Sequence, residues 1–222
     1  MELVTFQSLD ALKHLIDKGY LECEEKYIDN KKFGLVYDYI KNKMQEKNLI
    51  SNNYPLWCWV KCNNSICPPK HKGKKIQGFD VKITFKKKRK DVFITDYIKY
   101  SFLLNYTYIP ISLKDNNDFN KKLVKYNITT TDLLKYVRKD KYKESRTDFE
   151  FLEIIKIVEK SFDRCISEDG NILQGCVSKI NLEDVLKIEF LTDENVINGS
   201  LNYIHSNGKR KDWKEVYYNN LK

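Results

Sequence analysis

The strongest constraint on this chain is where its two hydrophobic periods fall. Strand-like stretches stand towards both ends: ELVTFQ (2–7), LWCWV (56–60), FDVKITF (79–85), DVFITD (91–96), ILQGCVSKI (172–180) and VLKIEFL (185–191). Val81, Ile83 and Phe85 alternate with polar residues, the period of a half-buried strand. From 117 to 161 the period is helical, in FNKKLVKY, TTTDLLKYVRKD and TDFEFLEIIKIVEKSF. Strands around a helical middle predict an α+β fold, a small mixed or antiparallel sheet cluster with flanking helices. The reading is one domain over 1–191 with a helical insertion at about 117–162. A polar tail follows at 192–222, with Trp213, Val216, Tyr217 and Tyr218 as the apolar side of one short docking helix.

Local signals refine this. Ser8 caps a helix over SLDALKHLIDKG that Gly19 ends, with Leu9, Leu12, Leu15 and Ile16 on one face. A second helix spans about 33–47 and turns Leu35, Val36, Tyr39, Ile40 and Met44 inward. FDVKITF and DVFITD read as strands joined by a KKKRK turn at 86–90. Thr130 or Thr131 and Thr147 are the caps expected in the insertion, and NLED joins the two closing strands.

With 41% hydrophobic residues, including 15 Tyr, 11 Phe and 3 Trp, the 222-residue chain can build a core. Its longest apolar runs, such as FLL at 102–104, fall far short of the roughly 20 residues a membrane helix needs. No basic and then apolar leader opens it, which predicts a cytoplasmic protein whose six cysteines are free thiols. The net charge of +9 is local. Residues 61–90 hold eleven basic side chains and one acid, Asp80, while the other 192 residues sum to about −1.

The stretch NYPLWCWVKCNNSICPPKHKGKK (53–75) concentrates the functional choices. Cys58, Cys62, Cys67 and His71 suggest zinc, but Cys58 and Cys62 would stand roughly 13 Å apart on a strand, too far for one ion. No metal is expected. Trp57 and Trp59 share a strand face, suited either to stacking on bases or to a core. Lys70, Lys72, Lys74 and Lys75, with Lys86, Lys87, Lys88, Arg89 and Lys90, read as solvated loops or as a face for nucleic-acid phosphates. His14 and His205 assemble with no nucleophile, and neither glycine-rich phosphate-binding motif occurs. A metal-dependent nuclease would need a carboxylate cluster that the sequence lacks.

Five fragments in order, VTFQ (4–7), YPLWCW (54–59), VFITDYIKYSFLLN (92–105), KSFDRCI (160–166) and LQGCVSKINLEDVLKIEF (173–190), resemble an uncharacterised bacterial domain family. That family carries a second Asp where this chain has Ile98, Trp-His at Tyr100-Ser101 and Ser-Trp at Ser161-Phe162. More distantly, the layout is similar to nucleic-acid-directed ADP-ribosyltransferases. That resemblance implies NAD as cofactor and a catalytic carboxylate on the closing strand. The corresponding position falls on Cys176, or on Gln174 two residues earlier, and the first-strand cofactor grip falls on Gln7. Glutamine can hydrogen-bond a ribose but cannot offset developing positive charge.

The cleft implied by these likenesses holds Gln174, Gln7 and Asp96 as catalytic candidates and Tyr54, Trp57, Trp59, Tyr97, Asn105 and Arg164 around the cofactor. The basic segments form its rim. Asp96 also suits a helix N-cap, and Arg164 an exposed salt bridge. Two functions remain open: an ADP-ribosyltransferase-like domain that binds or modifies nucleic acid, and a non-catalytic module that binds nucleic acid or protein.

Overall fold

The computed structural model describes residues 1–28, 30–50, 52–62, 80–137, 146–191 and 202–205. In chain order these form β1 (Glu2–Gln7), α1 (Leu9–Lys18), β2 (Tyr20–Glu22), α2 (Asn30–Glu46) and β3 (Leu56–Cys62). Next come β4 (Val81–Lys86), β5 (Phe93–Asp96), α3 (Tyr97–Leu104), α4 (Leu113–Lys125), α5 (Thr130–Val137) and α6 (Phe149–Ser161). β6 (Ile172–Val177), β7 (Lys179–Asn181), β8 (Val185–Phe190) and β9 (Asn202–His205) complete the α+β fold. The main sheet runs β5-β6-β3-β1-β4-β8-β9 and β2 pairs with β7. Every neighbouring pair is antiparallel.

Alternation along the strands gives the sheet two apolar faces. Leu3, Val81, Ile83, Phe85, Cys58 and Ile188 pack with Leu12, Leu15 and Ile16 of α1 and with Leu21 and Ile180 of the small sheet. Phe93, Cys176 and Trp57 point the other way, into a helical core with Val36, Ile40 and Met44 of α2, Leu103 of α3 and Ile155 of α6.

α1 is ten residues long, too short to persist alone. Ser8 accepts from the Ala11 N–H, and the Asp80 carboxylate from the Leu9 N–H at 3.1 Å. Gly19 closes the helix at φ 81°, its N–H donating to the Leu15 carbonyl.

Several local expectations change. β4 and β5 form no hairpin, because β1 pairs with β4 along its whole length and β8 takes the other side. With both edges of β4 filled, β5 lies four strands away, beyond β1, β3 and β6. Residues 86–90 therefore connect distant strands, with a 3-10 turn at Arg89–Asp91. ILQGCVSKI divides into β6 and β7, so the closing strands β6 and β8 are not neighbours. Leu35 is exposed, not inward.

In the insertion, α4 begins at Leu113, capped by Ser112. α5 is preceded by Thr129, whose hydroxyl accepts from the Asp132 N–H while the Asp132 carboxylate accepts in return. Asp148, not Thr147, caps α6, since its carboxylate reaches the Phe151 N–H at 3.1 Å. Of the C-terminal segment, Asn202–His205 joins the sheet as a strand on β8, and the docking helix expected there lies outside the described residues.

Candidate functional site

Directly opposed residues on antiparallel strands share a face. Thr95 opposes Gln174, Gln174 opposes Trp59, and Trp59 opposes Val4, so one row crosses β5, β6, β3 and β1. The strand carrying Gln174 lies between the one carrying Trp59 and the one that Tyr97 continues. The Trp59 and Tyr97 rings meet at 5.1 Å between centroids and so span Gln174. Trp59 is half-buried and Tyr97 is 37% exposed, which leaves the ring pair open to solvent on one side.

In the same row two oxygens lack a partner: Thr95 Oγ1 and Gln174 Oε1, both buried. Such an orphan costs about 1–3 kcal/mol, and native proteins rarely keep one without a water or ligand to meet it. Together the two side chains offer a hydroxyl and a carboxamide, able to donate and accept side by side. Thr95 was not among the candidates drawn from the sequence. A threonine within a β-branched run signals only strand, and its orphan hydroxyl becomes visible once β5 is paired.

Asp96 borders this row but its carboxylate is committed. One oxygen accepts from the Ile98 and Lys99 N–H groups at 2.9 and 3.1 Å, capping α3. Cys176 is fully buried in the helical core, where burial pushes its thiol well above the ordinary range.

The remaining candidates lie elsewhere. Gln7 opposes Val81, on the face that packs against α1, and its amide donates to the Thr5 hydroxyl at 2.9 Å. The period of two puts it on the opposite face from Val4, hence from Trp59 and Gln174. Trp57 is a core side chain, 4.6 Å from the Tyr100 ring and 6.0 Å from that of Tyr37. Tyr54 is buried and donates to Asp38 at 3.0 Å, with the Lys41 ammonium over its ring. Asn105 sits at the far end of α3 from Tyr97, and its amide donates to the Ser101 carbonyl. Arg164 donates to the Ile109 carbonyl and to Asp115, which ties α4 to the segment after α6.

The basic segments divide. Lys70, Lys72, Lys74, Lys75, Cys67 and His71 lie outside the described residues. Lys86 is exposed and, opposite Glu2, stands on the Trp59 face about 12 Å from it by strand spacings. Lys88 and Lys90 are exposed. Lys87 pairs with Asp184 at 2.6 Å, and Arg89 pairs with Glu168. Cys58 is buried on the α1 side and donates to the Gly175 carbonyl.

The family described as Domain of unknown function (DUF3841) matches residues 2–186. The chain belongs to that family. No curated protein and no solved structure matches it. The DUF3841 span begins with β1 and reaches β8, so it includes Trp59, Thr95, Tyr97 and Gln174. Among the described residues of this DUF3841 domain, no helix is long and apolar enough to cross a membrane.

Proposed function

We propose that this DUF3841 domain binds single-stranded nucleic acid as a non-catalytic module and takes one base at the Trp59–Tyr97 pair. The observation that carries the reading is the pair of unpartnered oxygens on Thr95 and Gln174 in the row that holds Trp59. A base entering there stacks on an aromatic face, worth about 1–3 kcal/mol, and presents its polar edge to the carboxamide and hydroxyl. Exposed Lys86 on the same face meets a phosphate along the strand. ADP-ribosyl transfer with NAD is the less supported reading: it calls for a carboxylate beside Gln174, and the adjacent Asp96 is spent as a helix cap.

The test is fluorescence anisotropy with labelled mixed-sequence RNA and DNA across a salt series. Affinity falls steeply with salt, Trp59→Ala and Gln174→Ala each weaken binding about tenfold, and Lys86→Glu makes the salt slope shallower by about one or more. Equal affinity of all three variants and the parent overturns the reading. A parallel incubation with labelled NAD and RNA, DNA and protein acceptors decides catalysis. Transfer that Gln174→Ala abolishes would replace the binding module with an enzyme.

A further inference from the structure

β5 is the outermost strand on its side of the sheet. Alternate residues of an antiparallel edge strand send N–H and C=O groups away from the sheet. Among the described residues, no backbone group hydrogen-bonds to the outer side of Phe93–Asp96. Directly beside it lies a hollow of about 460 Å³.

Val92, Phe93 and Ile94 line that hollow in succession. Successive strand residues point to opposite faces, so three in a row can border one hollow only if it runs along the backbone edge. Leu49 and Ile166 add apolar lining, and the exposed Lys47 and Lys90 stand against one acid in the same lining, Asp169, that has no ion pair among the described residues. Arg89 closes one end, bound to Glu168 and donating to the Val92 carbonyl at 2.9 Å.

We propose that this edge is a docking slot for an extended peptide, which adds to β5 as a further strand. The occupant alternates apolar residues, for the hollow, with acidic ones that pass Lys47 and Lys90. An unpaired ladder of N–H and C=O groups at strand spacing matches a peptide backbone along its whole length, whereas phosphates and base edges meet such groups only at isolated points. Phe93, at 2% exposure, offers no ring face on which a base could stack. The slot lies on the sheet edge and the Thr95–Gln174 row on a face, so the two sites stand or fall separately.

The probe is a fluorescein-labelled, end-blocked hexapeptide alternating valine with glutamate, titrated into the full chain by anisotropy. Amide NMR of Phe93–Asp96 reports the location. The peptide binds and shifts those amides. N-methylating either its valines or its glutamates abolishes binding for one set and changes it less than about twofold for the other, since alternate N–H groups face the ladder. Double reversal by Lys47→Glu and Lys90→Glu weakens binding about tenfold, with unchanged thermal melting. The slot is refuted by absence of binding at millimolar peptide, by equal loss from both methylation patterns, or by indifference to the double reversal. Displacement of the peptide by an oligonucleotide whose own affinity drops with Lys47→Glu and Lys90→Glu would assign the hollow to nucleic acid instead.

Discussion

Thr95 and Gln174 face each other across β5 and β6, and each ends in a buried oxygen that no protein group meets. Removing one should therefore help the fold while harming the site. Thr95→Val keeps the shape and β-branching and drops the hydroxyl. We expect it to raise unfolding free energy by about 1 kcal/mol in urea denaturation. The same variant binds labelled oligonucleotides more weakly than the parent. Lower stability would mean that the hydroxyl has a partner in the native protein.

Gly175 lies where three side chains converge on β6. A Cβ there would come within 2.9 Å of both Val60 Cγ2 and Val92 Cγ1 and 3.1 Å of Cys58 Sγ. Val60 and Cys58 belong to β3 and Val92 directly precedes β5, so they flank β6 on both sides and cannot all withdraw. Gly175→Ala should therefore destabilise the domain by about 1–3 kcal/mol. A thermal melt checks this, and an unchanged melting temperature would show that the strands separate more readily than their packing implies.

Asp96 separates capping from catalysis. Asparagine caps a helix about as well as aspartate, so Asp96→Asn should keep nearly full stability, while Asp96→Ala costs about 1–2 kcal/mol. Oligonucleotide affinity should follow stability in both variants. Gly170→Ala should resemble Asp96→Ala, since its Cβ would stand 2.8 Å from Asp96 Oδ2 and push that carboxylate off the cap. Urea denaturation of the three variants makes the comparison.

The helical insertion should be sensitive to acid. The Ile111 N–H and then the Tyr108 hydroxyl hold the Asp115 carboxyl below its ordinary range, helped by Arg164. Arg146 does the same for Asp148, helped by the Phe151 N–H. Groups with a depressed folded pKa stabilise fully above the unfolded value, about 3.9, and lose that contribution as pH falls through the folded one. Melting temperature should thus change little through these groups from pH 7 to about 5, then drop below about pH 4. Asp115→Asn should flatten part of that drop.

The amino-acid sequence by itself determined what is settled within a few residues. Ser8 and Gly19 bracket α1, the β-branched runs become strands, and LWCWV and ILQGCV present Trp59 and Gln174 as candidates, because caps and hydrophobic periods act over one or two turns. Tertiary structure alone decided how the pieces meet. Filling both edges of β4 sent β5 across the sheet, the face parity of β1 turned Gln7 away from Gln174, and the helical core absorbed Trp57. Arg164 found partners in and before α4 that no local pattern named, whereas Asp96 took the cap that its position before α3 suggested. The physical reason is that strand pairing depends on which backbone edges remain open once the others are taken. That competition runs over the whole chain, and local periodicity carries no record of it.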